Sequence, residues 1–335
     1  MHNISSCWPS STPIQALPVT PHQRIKTLER TLERRVDILQ VTRYVDCVVR
    51  ENVKSVHRLA TRPFLHVIVT PDVKPCYALR KFWHHIRCRS DDDVLTNIDL
   101  HTVQSILSTI GPNARAKGPM WFFQQMLKLG AVAHGIEGLS EYVRVMDGET
   151  LLFKPFDWFT RNGDEIFDVC DTWSAKEVGD GWNHERYGAL YYKLTGKALI
   201  GSPALVSHGM SMKRTNVRSL LDALSPPGAS WKTNMWISNS LNGLCDEAAI
   251  TGFSEYFYYA SWVLSDHNKT SAVVRMLPST CRRVKSSSTH TCNAAFIKTL
   301  ARHSGKYAYI VMENHASRHK QQKSKLKILR AATNS

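Results

Sequence analysis

The feature that most constrains the fold is the alternation of short β-rich runs with helical segments between Val36 and Ile86. The runs have the composition of strands, and the segments between them place apolar residues at helical spacing. A strand-helix-strand order of this kind favours a mostly parallel sheet with helices on its faces. The predicted strands are Val36–Thr42, His66–Thr70 and a short one near Ile86, and the predicted helices are Val48–Leu59 and Pro75–Trp83.

The same reading continues along the chain and predicts an α/β fold throughout. An apolar strand, Tyr142–Met146, ends directly on Asp147. Further strands are expected at Ala204–Met212 and Tyr309–Met312, and helices at Leu100–Ile110, Trp121–Ala133, Trp182–Leu194, Val217–Leu224 and Phe253–Leu264. In open α/β sheets ligands bind at the carboxyl ends of strands, so acidic residues after Met146 are candidate functional groups.

The size and composition of the chain suit one large domain. Its 335 residues are 43% hydrophobic, enough to bury a substantial core, and no apolar run approaches the ~20 residues of a membrane-spanning helix. We expect a leader without regular structure at residues 1–21, a single domain at residues 22–316 and a basic tail at residues 317–335. The first twenty residues do not read as a secretory signal, so a cytoplasmic or membrane-peripheral location is expected.

The eight cysteines are scattered without close pairs. This spacing indicates no zinc ribbon, redox motif or dense disulfide framework. We therefore expect most of them to be buried thiols that pack as small apolar side chains.

The formal charge of +15 indicates a polyanionic partner: nucleic acid, an anionic membrane surface or phosphorylated small molecules. Much of the excess lies near the two ends, at Arg24–Arg35 and Arg318–Arg330. The second stretch also carries apolar residues, so it predicts either a peripheral contact with an anionic membrane or a solvated tail. No zinc finger or RNP signature is present, and no nucleic-acid partner is predicted.

Asp147-Gly148-Glu149 is the sharpest chemical feature of the sequence. Two carboxylates separated by one small residue after a buried strand can both reach one Mg²⁺ or Mn²⁺ ion, which takes oxygen ligands. Gly148 would allow the backbone to turn tightly and to approach a ligand. The alternative is an ordinary acidic turn.

Four other polar positions are candidates with a structural alternative each. Gln124 and Lys128 share one face of the Trp121–Ala133 helix, which could equally be an amphipathic core helix. Glu255 could lie near an acceptor hydroxyl, or could serve only the dipole of a helix capped by Ser254. His208 follows an apolar strand and reads as structural unless a metal lies nearby.

Five segments in a fixed order resemble a known family. VDILQVTRYVD resembles the opening strand and helix of GT-A glycosyltransferases. The segments WFFQQMLKL, YVRVMDGETLLFKPF, SHGMSMKRTNVRSLLDAL and FSEYFYYASWV then follow. The series resembles the DUF6492 group of glycosyltransferases over residues 36–265. It implies a GT-A nucleotide-sugar transferase fold and transfer of a sugar from a nucleoside diphosphate sugar, expected to be UDP-linked, to an unidentified acceptor hydroxyl.

The resemblance also implies roles for particular residues. Asp147 and Glu149 correspond to the D-x-D metal and nucleotide site, with Mn²⁺ or Mg²⁺ as cofactor, and His315 corresponds to the C-terminal metal histidine. Glu255 corresponds to a catalytic base or acceptor-binding group. The donor-binding positions are Thr42, Asp46, Gln125, Lys128, Asp147, Gly148 and Glu149. Lys128 or Arg214 would add a positive contact to phosphate.

Two other functions stay open at this point. Glu149 stands where the family pattern has Asp, which raises the alternative of a non-catalytic GT-A-like binding module. The high positive charge raises the alternative of a basic nucleic-acid-binding protein.

Overall fold

The computed structural model describes twelve strands and eight helices within a set of ranges that covers most of the chain. The ranges are 14–16, 35–59, 64–111, 118–136, 138–155, 157–170, 182–202, 208–244, 252–265, 272–277, 281–286, 302 and 309–314. The strands are β1 (Ile14–Ala16), β2 (Val36–Val41), β3 (His66–Val69), β4 (Ile86–Arg89), β5 (Tyr142–Asp147), β6 (Thr150–Leu152), β7 (Ile166–Cys170), β8 (Leu199–Ser202), β9 (Gly209–Lys213), β10 (Val273–Leu277), β11 (Cys281–Ser286) and β12 (Tyr309–Asn314). The helices are α1 (Cys47–Leu59), α2 (Lys74–Arg80), α3 (Leu100–Ile110), α4 (Pro119–His134), α5 (Trp182–Thr195), α6 (Arg214–Leu224), α7 (Met235–Asn242) and α8 (Glu255–Ser265).

The central sheet has five strands in the order β4-β3-β2-β5-β9. The first four are parallel, and β9 runs antiparallel to β5. The predicted α/β fold with a mostly parallel sheet flanked by helices is therefore confirmed. Val41 pairs with Asp147 at the carboxyl edge of the two central strands.

Both faces of this sheet are covered, because successive side chains of a strand point to opposite sides. Leu39, Val67 and Val143 belong to the main hydrophobic core, together with residues of α3 and α4. Ile68 and Ile86 lie on the other face and pack with α1 and α2 residues in a smaller cluster. The strands are consequently apolar along most of their length, as expected for a sheet buried on two sides.

Helix α4 runs through the core, which explains how it delivers a charged residue to a buried position. Pro119 opens the helix, where a missing N–H costs nothing, and Gly135 closes it in the left-handed region at φ 66°. Eleven of the 16 residues of α4 are buried, and Lys128 is one of them. The helix predicted at Trp121–Ala133 is confirmed, and it is buried in the core.

The remaining strands form smaller sheets, β11-β12-β6, β10-β7 and β1-β8. Ile14–Ala16 pairs in parallel with β8, so the expectation of a leader without regular structure at residues 1–21 is wrong at these positions. Strand pairing, which composition alone does not reveal, explains the difference. The basic tail at residues 317–335 lies outside the described residues. None of the helices in the described ranges combines the length and apolarity needed to cross a membrane.

The expectation of unpaired cysteines is wrong at Cys76 and Cys88. These residues, in α2 and β4, are joined by a disulfide, and Cys47 is also disulfide-bonded. Cys76 and Cys88 are 12 positions apart, and only the return of the chain along β4 brings them together. The cytoplasmic or membrane-peripheral location expected from the sequence stays a prediction.

Candidate active site

The candidate site lies where β5 ends. Because β9 is antiparallel to β5, the residue before β9 reaches the same edge as the residue that ends β5. The backbone N–H of Asp147 donates to the carbonyl of His208 at 2.9 Å, and the Thr150 hydroxyl donates to the same carbonyl at 3.0 Å. His208 holds a left-handed backbone at φ 53°, uncommon for a residue with a side chain. The sheet register thus fixes His208 beside Asp147.

Asp147, Glu149 and His208 form a cluster of metal-ligand type. Each offers one ligand atom, and the three atoms lie within 4.8 Å of one another. Nδ1 of His208 is 2.8 Å from Oδ2 of Asp147 and 3.8 Å from Oε1 of Glu149. Two carboxylates and one imidazole suit Mn²⁺. Mg²⁺ would also bind the two carboxylates, although it prefers oxygen ligands to nitrogen ligands. The donor set therefore fits the divalent cation that the sequence predicts.

The second carboxylate oxygen of Asp147 faces inward. Its Oδ1 accepts from the Lys128 ammonium at 2.5 Å and from the Tyr256 hydroxyl at 2.9 Å. Burial by itself would raise the pKa of the Asp147 carboxyl, but Lys128 and His208 outweigh burial and hold that pKa well below its usual range. Asp147 is thus kept as a carboxylate, the form that a metal requires.

Lys128 is a buried bridge between two acids. Its Nζ lies 2.6 Å from Oε1 of Glu255 as well as against Asp147, and its side chain is 5% exposed. Burial opposes the charged form of Lys128, yet the two carboxylates raise its pKa well above the ordinary value. The ammonium also lies 4.7 Å from the centre of the Tyr256 ring. The structure shows these internal contacts of Lys128, and its predicted contact with donor phosphate stays a prediction.

Gln124 and Gln125 hold neighbouring elements in place. Gln124 donates to the Val41 carbonyl at 3.0 Å, which joins α4 to the carboxyl end of β2. Gln125 is buried, and its Oε1 accepts from the Glu255 backbone N–H at 3.3 Å, at the start of α8. These partners give no support to the predicted contact between Gln125 and the nucleotide-sugar donor, which stays a prediction.

Gly148 lies tightly against the end of β2. A Cβ at this position would be 2.9 Å from Oγ1 of Thr42 and 3.1 Å from Nε2 of Gln40. The close neighbour of Gly148 in the structure is Thr42, and the predicted approach of Gly148 to a ligand stays a prediction. The Thr42 hydroxyl donates to the Tyr44 carbonyl at 2.9 Å. Thr42 and Gly148 therefore line the same edge, next to the metal-ligand cluster.

Asp46 caps a helix. Its Oδ1 accepts from the backbone N–H groups of Val48 and Val49 at 2.9 and 3.1 Å, at the start of α1. Glu255 is the first residue of α8, and Oγ of Ser254 accepts from the Phe257 N–H at 3.4 Å, as the predicted cap requires. The predicted contacts of Asp46 and Glu255 with substrate are not tested by these bonds.

Two predicted positions are not brought to the site. His315 lies outside the described residues, and the histidine found at the cluster is His208. The sequence analysis placed His208 after an apolar strand, whereas His208 in fact precedes β9, and only the antiparallel pairing of β9 with β5 reveals its position beside Asp147. Arg214 lies at the other end of β5, where its backbone N–H donates to the Glu141 carbonyl at 3.0 Å. Its predicted contact with phosphate at the Asp147 site is therefore wrong. The strand order places it there, since β9 ends where β5 begins.

Solved structures similar to this chain include the following three. Mouse xyloside xylosyltransferase 1, in its apo form, is 8% identical and covers 83% of this chain and 97% of its own, with a TM-score of 0.41. Galactosyltransferase LgtC in complex with donor and acceptor sugar analogs is 11% identical, covers 84% and 88%, and has a TM-score of 0.40. Glucosyl-3-phosphoglycerate synthase from Mycobacterium tuberculosis, in complex with Mn²⁺, UDP and phosphoglyceric acid, is 10% identical, covers 82% and 75%, and has a TM-score of 0.37.

No protein-family model matches the chain, and no curated protein matches it in sequence. The resemblance to the DUF6492 group therefore stays a prediction that rests on the ordered motifs.

Proposed function

We propose that the chain is a GT-A glycosyltransferase that moves a sugar from a nucleoside diphosphate sugar to an acceptor hydroxyl. The observation that carries the proposal is the convergence of Asp147, Glu149 and His208 at the carboxyl edge of a mostly parallel sheet. This edge is where α/β folds bind their ligands. The ordered motifs of the sequence supply the substrate class, and a UDP-linked donor is the first to test.

The cluster would hold Mn²⁺ or Mg²⁺ through the carboxylates of Asp147 and Glu149 and the imidazole of His208. When bound, the cation would neutralise the charge that develops on the leaving diphosphate. The protein's own contribution is to prepare Asp147: Lys128 and Tyr256 fix Oδ1, which leaves Oδ2 directed toward His208. Such preorganisation spares the site any rearrangement when the ligand arrives.

Glu255 has a different part in this arrangement. A base must reach the acceptor hydroxyl, whereas the Glu255 side chain is 5% exposed and its Oε1 accepts from Lys128. The geometry favours a positioning role, in which Glu255 holds the Lys128 ammonium against Asp147. Glu255→Gln would then weaken both donor binding and transfer. If Glu255 were instead a catalytic base, Glu255→Gln would lower transfer and leave donor binding unchanged.

The test is a calorimetric titration of a UDP-sugar panel with and without Mn²⁺. Asp147→Asn is nearly isosteric and should lower Mn²⁺-dependent donor affinity roughly tenfold to a hundredfold. Glu51→Gln is the matched control, because Glu51 is a carboxylate that forms an ion pair with the surface ammonium of Lys54. If Asp147→Asn binds donor and metal as the wild type does, the proposal fails.

One observation favours a second function, a non-catalytic GT-A-like binding module. Asp147 already has Lys128, Tyr256 and His208 as partners, and Glu149 replaces the Asp of the family pattern. Such a module would bind the donor and leave it intact. Release of UDP from the donor with Mn²⁺, in the presence and absence of candidate acceptors, separates the two functions.

The basic tail suggests where the acceptor lies. We propose that residues 318–330 contact anionic lipid and bring the enzyme near a membrane-bound acceptor. Co-sedimentation with anionic vesicles should fall when the chain is shortened after residue 316. Equal binding by both proteins would leave the tail as a solvated segment.

A further inference from the structure

A pocket opens beside the edge strand β4 of the central sheet. It has a volume of about 450 Å³, and its lining includes Arg35, Phe64, His85, Arg87 and Arg89. Arg35, Leu65 and His85 stand just before the starts of β2, β3 and β4, and Arg89 ends β4, so the pocket extends along the β4 side of the sheet. Strand β4 is three strands away from β5 in the sheet, about 14 Å at the usual strand spacing, which separates this pocket from the candidate active site.

The three arginines face one side of the sheet. Arg87 and Arg89 alternate with Ile86 and Cys88 along the edge strand β4, and the latter two pack into the cluster on the other face. Among the described lining residues no carboxylate is present. Arg87 is exposed, and the contacts of its guanidinium within the described ranges are long bonds from Nη1 to the carbonyls of His84 and Ile86.

Arg35 is held in place by a buried acid. Its Nε donates to Oδ1 of Asp37 at 2.6 Å, and its Nη2 donates to the Gly138 carbonyl at 2.9 Å. Asp37 is fully buried and also accepts from the backbone N–H groups of Leu65 at 2.7 Å and Ser140 at 2.6 Å. The guanidinium is thus fixed before any ligand arrives. Asp37 offsets Arg35, and no carboxylate among the described lining residues offsets the exposed Arg87, so Arg87 gives the pocket a positive charge.

We infer that this pocket binds a phosphate or carboxylate group attached to a small organic body, separately from the site at Asp147. Guanidinium groups match the planar, two-oxygen face of such anions and bind them through paired hydrogen bonds. The volume falls in the range of small-molecule pockets and exceeds a bare anion. Phe64 and Leu65 supply an apolar wall for the remainder of the ligand. The anion could belong to a soluble metabolite or to a lipid headgroup.

Inorganic phosphate is the probe for the soluble source. In buffer with a chelator, which removes metal-dependent binding at Asp147, phosphate should raise the midpoint of thermal unfolding at constant ionic strength. Arg87→Glu should lower the apparent phosphate affinity about tenfold or more, since it reverses an exposed charge without disturbing a buried contact. Arg80→Glu is the matched control, because Arg80 is exposed on the neighbouring helix α2 and does not line the pocket.

Vesicles of phosphatidylcholine with and without phosphatidic acid test the lipid source. If the anion is a headgroup, co-sedimentation with phosphatidic acid should depend on Arg87 and not on Arg80. A dependence on Arg87 in either arm supports the pocket and identifies the source. The inference is overturned if neither probe distinguishes Arg87→Glu from the wild type, or if Arg80→Glu causes an equal loss in both arms. Either result leaves the proposal for Asp147 untouched.

Discussion

The ammonium of Lys128 lies 2.5 Å from Oδ1 of Asp147, inside the protein and behind the metal-ligand cluster. The acid predicted from the sequence to hold a cation is therefore already ion-paired on its inner side. Its outer oxygen, Oδ2, is the one that faces His208 and Glu149. The site combines a permanent internal cation with a place for an external one.

Removal of the internal cation should destabilise the fold. Lys128→Met leaves the carboxylates of Asp147 and Glu255 buried without their shared partner, which should cost about 3–5 kcal/mol in the free energy of unfolding. Lys54→Met is the matched control. Lys54 makes an ion pair of similar length with Glu51 but is 50% exposed, so its loss should cost about 1 kcal/mol or less. Urea denaturation measures both, and equal losses would contradict the buried network.

The identity of the metal histidine can be tested directly. His208→Ala should lower Mn²⁺ affinity about tenfold or more, because it removes one of three clustered ligand atoms. His134→Ala is the control, since His134 pairs with Asn234 and takes no part in the cluster. His315→Ala tests the family-based assignment. If His315→Ala lost Mn²⁺ affinity and His208→Ala did not, His315 and not His208 would be the metal ligand.

Gly148→Ala should disturb the edge of the sheet. The added Cβ would lie 2.9 Å from Oγ1 of Thr42, closer than real contacts allow. We expect a loss of about 1–3 kcal/mol in stability and weaker donor binding. Replacement of Thr42 by Ala removes that oxygen, so the double variant should recover part of the loss. Strict additivity of the two single changes would show that Gly148 and Thr42 do not press on each other.

His66 should make the protein sensitive to mild acid. Burial, together with the nearby His57, lowers the pKa of His66 from 6.5 to about 3. Between those pH values the unfolded chain binds a proton that the folded chain does not, so stability falls as the pH falls below 6.5. The loss from His66 should reach about 2 kcal/mol at pH 5. Urea denaturation at pH 7 and pH 5 should show a smaller difference for His66→Gln. An unchanged difference would rule out His66 as the source.

The disulfide should contribute to stability through the unfolded state. Cys76 and Cys88 close a short loop, for which chain entropy gives about 3 kcal/mol. The double variant Cys76→Ala/Cys88→Ala should therefore unfold at lower urea concentration under oxidising conditions. Identical denaturation midpoints for the variant and the wild type would contradict the bond.

The fold was predictable where signals are local. Between Val36 and Ile86, apolar spacing marked each strand and helix, and α4 was marked by its own composition. The short strands Thr150–Leu152 and Ile14–Ala16 were missed, because three residues carry no periodicity and depend on a distant partner. The Cys76–Cys88 bond was missed for the same reason.

The two acidic residues of the candidate site were predictable from the sequence, but their contacts with distant residues were not. Asp147 and Glu149 follow an apolar strand, which is visible in the sequence. His208 is 61 positions away from Asp147, and the inward contact of Lys128 with Glu255 spans 127. Such pairings follow from strand order and helix packing, and no spacing rule contains them.

The pairing of β5 with β9 has a consequence for how such a protein can diverge. This pairing, with the bond from the Thr150 hydroxyl to the His208 carbonyl, holds His208 beside Asp147, so the length of the chain between β6 and His208 does not by itself set the distance between the two side chains. Insertions and substitutions in that stretch can reshape what approaches the site without moving the ligands. If the chain acts as proposed, the groups that approach the site can change by substitution in that stretch, whereas the positions of Asp147 and His208 change only when β5 or β9 changes.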